Sequence, residues 1–150
     1  MIHLKPGDNA PDFSAKDQNG NPISLKGFAG SKLVIYFYPK DNTPGCTSQA
    51  CGLRDNYDAL LAKGYKVVGV SADDEKSHQK FIEKFDLPFP LIADTDKVVI
   101  NAYGVWGPKK FMGRQYDGIH RTTFVIDEKG VITEVIEKVD TQNHYAQIIK

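Results

Sequence analysis

Residues 33–46 read LVIYFYPKDNTPGC, and this stretch sets the architecture that the rest of the chain has to fit. Its first six residues are apolar and rich in β-branched and aromatic side chains, which is typical of a strand buried in the centre of a sheet. Thr43 and Pro44 then form a helix-start signal, because threonine suits the N-cap and proline suits the first helical position. The stretch therefore predicts a central strand, a short loop and a helix that begins beside the end of that strand.

Helices and strands alternate on the C-terminal side of this stretch. Four further segments have the apolar, β-branched composition of strands, at residues 67–71, 89–94, 122–127 and 131–139. Four segments have helical periodicity or helix-end signals, at residues 44–63, from residue 74, at 96–103 and at 142–149. Such alternation indicates an α/β fold in which helices flank a central sheet.

The N-terminal segment adds a hairpin to this pattern. Residues 12–25 hold two short apolar runs on either side of Asn19-Gly20, a dipeptide that favours a tight turn. A second hairpin is expected where residues 128–130 connect the last two strands. With hairpins at both ends, we expect a mixed central sheet and an N-terminal β-hairpin extension.

Length and charge narrow the function classes. A chain of 150 residues is expected to form one domain over residues 1–150, and its 19 basic and 19 acidic residues give no electrostatic sign of nucleic-acid binding. Since no apolar run approaches the roughly 20 residues of a membrane helix, no membrane association is expected. The N-terminus lacks a signal-peptide pattern, so we expect a cytoplasmic protein whose thiols are kept reduced.

Cys46 and Cys51 are the only cysteines. Cys46 would be the third residue of the predicted helix, and the free N–H groups of a first turn favour the thiolate, which is the reactive form of cysteine. Cys46 also begins the apolar stripe of that helix, with Ala50 and Leu53 next along it, so it is expected to face the sheet. The sequence leaves open that Cys46 is only a small apolar core residue.

Cys51 lies five positions beyond Cys46. Across an intact helix this spacing separates two Cα atoms by roughly 8–9 Å, whereas a disulfide needs about 4.4–6.8 Å. The two cysteines therefore either never pair or pair only after the helix unwinds, which Gly52 would facilitate unless it serves close packing. The spacing does not fit a Cys-x-x-Cys redox pair, and the ligand count does not fit zinc. It does fit oxidation of Cys46 to a sulfenic acid, followed by condensation with Cys51.

At this point the sequence resembles a known family. Pro39-x-x-x-Thr43-x-x-Cys46 is similar to the active-site signature of the peroxiredoxins, and YPKDNTPGCTSQACGLRD resembles their bacterioferritin-comigratory, or peroxiredoxin Q, subfamily. The blocks PGDNAPDF, YGVWGPKKFMGRQYDGIHRTTFVID and NHYAQII extend the resemblance over nearly the whole chain. It implies a thioredoxin-like fold and thiol-dependent reduction of hydrogen peroxide and organic hydroperoxides, with no metal, haem or flavin cofactor.

The resemblance also implies a role for each matching residue. Cys46 would be the peroxidatic cysteine and Cys51 the resolving one, while Thr43 would hydrogen-bond the thiolate and the peroxide. Pro39 would shield the site, and Arg121 would be the active-site arginine. The implied cycle ends with reduction of an intramolecular disulfide by thioredoxin, in a protein expected to be monomeric.

Simpler interpretations remain open for several residues. Arg121 could be a solvated charge at a strand end, and Thr43 only an N-cap. The N–H group of Gly45 is expected to bind substrate. Gln49 occupies a position where many relatives have glutamate. Two other functions also remain open: general thiol–disulfide exchange on proteins, and redox sensing without rapid turnover.

Overall fold

The computed structural model describes residues 2–149. Within them nine β-strands form: β1 (Ser14–Lys16), β2 (Pro22–Ser24), β3 (Lys32–Phe37), β4 (Tyr65–Ser71), β5 (Leu91–Ala93), β6 (Trp106–Phe111), β7 (Arg114–Ile119), β8 (Thr122–Ile126) and β9 (Ile132–Ile136). The helices are α1 (Pro44–Asp55), α2 (Tyr57–Ala62), α3 (Glu75–Phe85), α4 (Val98–Ala102) and α5 (His144–Ile148), with a 3₁₀ turn at Lys26–Phe28. No helix in this part of the chain has both the length and the apolar character needed to cross a bilayer.

The central sheet has the strand order β5-β4-β3-β8-β9. Strand β3 pairs in parallel with β4, and β4 in parallel with β5, whereas β8 is antiparallel to both β3 and β9. Residues 33–37 are completely or almost completely buried, as a strand covered on both faces requires. The predicted central strand and the mixed sheet are thus confirmed.

Alternate residues of β3 face two different cores. Leu33, Ile35 and Phe37 pack with the cluster that includes α4 and the N-terminal hairpin. Val34 and Tyr36 pack on the opposite face with α1, α2, α3 and α5. This alternation is the two-residue period of a strand, and it assigns Cys46 to the second core.

The N-terminal hairpin forms as predicted, but it does not enter the central sheet. Strands β1 and β2 pair with each other, from Ser14 opposite Ser24 to Lys16 opposite Pro22, and a single bridge joins Asp17 to Ile92. The expectation that both terminal hairpins make the sheet mixed was therefore wrong. Strands β8 and β9 alone supply its antiparallel part.

The helix predicted over residues 44–63 is two helices, α1 and α2, separated at Asn56. The side-chain Nδ2 of Asn56 donates to the Gly52 carbonyl at 2.8 Å. That carbonyl is the acceptor that the Asn56 backbone N–H would use in a continuous helix, so the side chain competes with the backbone. The single-helix prediction was wrong for this reason.

A hairpin of β6 and β7 was not predicted at all. Met112 and Gly113 connect its strands with φ values of 51° and 79°, the positive angles that a two-residue type I′ turn requires. The tip projects into solvent, because Phe111 is 64% and Met112 86% exposed. Large apolar residues are usually buried, but these two side chains do not pack in the core.

Helix α3 begins where the sequence indicates. The Asp74 carboxylate caps it by accepting a hydrogen bond from the Ser77 N–H at 2.8 Å. Helices α4 and α5 are shorter than the segments predicted at 96–103 and 142–149, and the flanking residues form turns.

Candidate active site

Cys46 is the third residue of α1, as predicted, and only 1% of it is exposed. Thr43 holds the N-cap position in an extended conformation, and its carbonyl accepts the first helical hydrogen bond, from the Thr47 N–H at 2.8 Å. The Cys46 sulfur therefore lies in the first turn, at the positive end of the helix dipole. Reactive cysteines of proteins are found at such helix N-termini.

The side chain that contacts this sulfur is Arg121. Its Nη2 donates to Cys46 Sγ at 3.3 Å, and its Nη1 donates to Gln49 Oε1 at 2.7 Å. Antiparallel pairing of Phe37 with Thr122 brings the start of β8 beside the end of β3, close to the start of α1. The interpretation of Arg121 as a merely solvated charge was thus wrong.

Gly45 provides the space for this contact. A Cβ atom at this position would lie 3.3 Å from Arg121 Nη2, tighter than an ordinary contact. Any side chain at residue 45 would press on the guanidinium group that contacts Cys46. The glycine therefore serves the arginine, in addition to any contact that its backbone makes with substrate.

Thr43 and Pro39 flank the loop that leads into α1. The Thr43 hydroxyl donates to the Lys40 carbonyl at 2.9 Å and makes no capping hydrogen bond. The hydroxyl proton is thus directed away from Cys46, and donation to a thiolate requires the hydroxyl to rotate. Pro39 is half-buried two residues after the end of β3.

Cys51 is half-buried and unpaired, and it lies in the same continuous helix as Cys46. Nothing lies within 4 Å of a Cβ atom built on Gly52, so the interpretation of this glycine as a close-packing residue is wrong. An intact helix through both cysteines keeps them too far apart for a disulfide. A bond between them would require part of α1 to unwind.

Two further groups near Cys46 were missed in the sequence. Lys109 on β6 is half-buried, and burial, followed by the positive charge of Arg121, lowers the pKa of its amine. Burial, and then the negative charge of Cys46, raises the pKa of the Tyr36 phenol well above its usual value. The hydroxyl of Tyr36 and the Nε2 of Gln49 are buried without a hydrogen-bond partner among the described residues. No sequence signal identified Lys109, because the hairpin that carries it was not predicted.

A cavity of about 270 Å³ reaches Arg121 from the side of the β6–β7 hairpin. Its lining residues are Ile2, Lys109, His120, Arg121, Thr122 and Glu137. Cys46 is not among the residues that line this cavity.

One cluster on the other side of the site has the spacing of metal ligands. Atoms of Asp41, Asp73 and His78 lie within 4.8 Å of one another. Each atom is already engaged: Asp41 Oδ2 with Ser77 and His78, and Asp73 Oδ2 with the Asp41 N–H and the Ser71 hydroxyl. A metal ion would have to displace these hydrogen bonds, so the arrangement fits a hydrogen-bond network better than a metal centre.

Comparison with known proteins identifies the family of the chain. Residues 6–135 match the model of the AhpC/TSA family. The chain is 49% identical over 149 residues to peroxiredoxin Bcp of Escherichia coli K12, which covers 99% of this chain and 96% of that protein. Its fold superposes with a TM-score of 0.92 on PrxQ of Xylella fastidiosa, at 29% identity and with 99% and 94% of the two chains covered.

A third relative is the bacterioferritin comigratory protein of Xanthomonas campestris, whose structure was described for its alkyl peroxide reduction activity. It aligns at 33% identity with a TM-score of 0.87, over 99% of this chain and 94% of that one. The mixed sheet with flanking helices is therefore the thioredoxin-like fold of these enzymes. The chain belongs to the AhpC/TSA family and is a peroxiredoxin of the Bcp/PrxQ type, a thiol peroxidase.

Proposed function

We propose that this peroxiredoxin reduces hydrogen peroxide and organic hydroperoxides with Cys46 as the peroxidatic cysteine and Cys51 as the resolving cysteine. The observation that carries the assignment is the 3.3 Å contact from Arg121 Nη2 to Cys46 Sγ at the first turn of α1. The alkyl peroxide reduction described for the Xanthomonas relative supports the inclusion of organic hydroperoxides. No cofactor is required by this chemistry.

In the first step the Cys46 thiolate attacks one oxygen of the peroxide. An S–O bond forms and the O–O bond breaks, and the leaving oxygen takes up a proton to become water or an alcohol. Arg121 stays positively charged and stabilises the charge that moves onto the peroxide oxygens. Since Pro44 has no N–H and Thr47 bonds Thr43, the N–H groups of Gly45 and Cys46 are the further donors of the first turn.

Thr43 and Pro39 complete the proposed site from the loop side. Rotation of the Thr43 hydroxyl from the Lys40 carbonyl would let it hydrogen-bond the bound peroxide. Pro39 would exclude water beside the sulfur. Both roles rest on the position of the loop. Among the hydrogen bonds of the described residues, none joins Thr43 or Pro39 to Cys46.

In the second step the Cys51 thiol attacks the Cys46 sulfenic acid. An S–S bond forms, the S–O bond breaks, and water leaves. The first turns of α1 must unwind for the sulfurs to meet. A dithiol protein, thioredoxin, then reduces the disulfide by exchange. We further propose that the protein acts as a cytoplasmic monomer.

The test is peroxide consumption by wild type, Cys46→Ser and Cys51→Ser with a thioredoxin recycling system. We expect Cys46→Ser to abolish turnover, and Cys51→Ser to retain one rapid oxidation of Cys46 but lose thioredoxin-driven cycling. If Cys51→Ser cycles as well as wild type, Cys51 is not the resolving cysteine. If wild type reacts no faster than a free thiol, disulfide exchange or redox sensing would replace the proposal.

A further inference from the structure

The loop between β3 and α1, residues 39–43, is attached to neighbouring elements through Asp41. This carboxylate is only 6% exposed and makes three hydrogen bonds. Oδ1 accepts from the Tyr38 hydroxyl at 2.6 Å, while Oδ2 accepts from Ser77 Oγ at 2.7 Å and lies 2.7 Å from His78 Nδ1. Tyr38 directly follows β3, and Ser77 and His78 are on α3. The carboxylate thus fixes the loop to two packed elements.

His78 extends this connection to the far strand of the sheet. The ring is fully buried, and its Nε2 lies 2.9 Å from the Ile92 carbonyl of β5. Since a carbonyl can only accept, Nε2 must carry a proton, and a second proton must lie between Nδ1 and the Asp41 carboxylate. Both ring nitrogens of His78 are therefore engaged, and the ring links the loop carboxylate to β5.

The backbone of the same loop is held separately. The Asp41 N–H donates to Asp73 Oδ2 at 2.8 Å, and Asp73 Oδ2 also accepts from the Ser71 hydroxyl at 2.7 Å, at the end of β4. Next along the chain, Asn42 has a φ of 60°, in the left-handed region. The chain therefore turns sharply right after the point where it is anchored and enters α1 two residues later.

We propose that Asp41, through His78, is a positioning residue for the peroxidase reaction. It holds Thr43 and the first N–H groups of α1 where they meet a peroxide at Cys46. This inference rests on the proposed function of Cys46. Donors to a developing charge must be held within about 0.5 Å, and Asp41 is the loop residue with side-chain contacts to packed elements on two sides.

Two substitutions of Asp41 separate positioning from charge. Asp41→Ala removes all three side-chain hydrogen bonds. Asp41→Asn can keep them, because its amide N–H can donate to Nδ1 of a neutral His78 while its oxygen still accepts from Tyr38. Ser77 Oγ can then accept the second amide proton. If Asp41 acts by position, the asparagine variant restores what the alanine variant loses.

The matched control is Asp94→Ala. Asp94 is also 6% exposed, and its carboxylate accepts from the Ile100 N–H of α4 at 2.7 Å. Among the hydrogen bonds of the described residues, none joins the Asp94 side chain to residues 39–43. All variants are compared with wild type at one temperature, at which circular dichroism shows each of them to be folded. Two reactions of Cys46 are timed, one with hydrogen peroxide and one with iodoacetamide, which needs the thiolate but not the peroxide donors.

We expect Asp41→Ala to react with hydrogen peroxide at least tenfold more slowly than wild type, and Asp41→Asn and Asp94→Ala to stay within threefold. Alkylation by iodoacetamide should stay within threefold in all of them. The inference is overturned if Asp41→Ala keeps the wild-type peroxide rate, if Asp41→Asn is as slow as Asp41→Ala, or if alkylation slows in parallel with peroxide reduction.

If Asp41→Ala does not fold, the double variant Tyr38→Phe/Ser77→Ala replaces it. It removes two donors to the carboxylate with little change of shape, and we expect a peroxide rate at least fivefold lower; an unchanged rate would overturn the inference. Failure of the proposed function is recognised separately, because wild type itself would then show no rapid reaction with peroxide.

Discussion

The guanidinium group of Arg121 contacts both Cys46 and Gln49, and the contact with Gln49 holds the group against the sulfur. Nη1 donates to Gln49 Oε1 at 2.7 Å while Nη2 donates to the sulfur at 3.3 Å. Gln49→Leu would leave Nη1 without this acceptor, and an unpaired, partly buried donor costs about 1–3 kcal/mol. We expect the peroxide rate constant of Gln49→Leu to fall about tenfold, the equivalent of about 1.4 kcal/mol. Gln49→Glu, which keeps an acceptor at this place, should stay within threefold, and equal rates for both variants would contradict the role.

For single residues, the sequence predicted the reactive groups but not the residues that hold them in place. The helix-start signal placed Cys46 correctly, and the family signature pointed to Arg121. The Asp41–His78 pair was not predicted, because its members are 37 positions apart and meet only through the packing of α3 on the sheet. The residues around His78 in the sequence show no ligand spacing, so they do not indicate that it pairs with Asp41.

In the proposed cycle, α1 presents Cys46 while it is helical and unwinds before Cys51 reacts. Gly52 weakens it, and nothing lies within 4 Å of the Cβ that alanine would add. Gly52→Ala should stabilise the helix by about 0.5–1 kcal/mol, and so make its unwound form about two- to fivefold rarer. We expect disulfide formation after a peroxide pulse, followed by quenched-flow thiol labelling, to slow by that factor while oxidation of Cys46 keeps its rate.

The control for this change is Ser48→Gly, at an exposed position of the same helix. Glycine there weakens α1 without altering the site, so disulfide formation should accelerate. Identical rates of disulfide formation in wild type, Gly52→Ala and Ser48→Gly would mean that the helix does not need to unwind before Cys51 reacts.

Elements were predictable where local pattern decides them and not where side chains compete with the backbone. The buried strands and the start of α3 follow directly from apolar runs and from Asp74. The break after α1 depends on one hydrogen bond from Asn56, and the β6–β7 turn uses Met112 at a positive φ where asparagine or glycine is usual. Hydrophobic periodicity predicts neither the break after α1 nor the β6–β7 turn.

At the scale of the whole molecule, sheet order brings the active site together. Cys46 and Arg121 are 75 positions apart, yet both lie at one end of β3, because α1 follows this strand and β8 pairs antiparallel to it. The sequence predicted the five strands of the central sheet, while their order and register depend on long-range pairing that no local pattern contains. The family resemblance supplied that part of the expectation.

The C-terminal helix closes the same end of the molecule through His144. Its Nδ1 donates to Gln147 Oε1 at 2.7 Å, and in the neutral ring Nε2 accepts from the Thr123 hydroxyl at 2.8 Å. Burial is the largest cause that lowers the pKa of His144 in the folded protein. The unfolded chain therefore binds a proton more readily, and stability should be lost as pH falls below about 6.5, the pKa of histidine in the unfolded chain.

We expect the free energy of unfolding, from urea titrations at pH 7.5 and pH 5.5, to drop less in His144→Gln than in wild type. The other histidines are common to both proteins, and an equal drop would show that α5 is not held by a neutral His144.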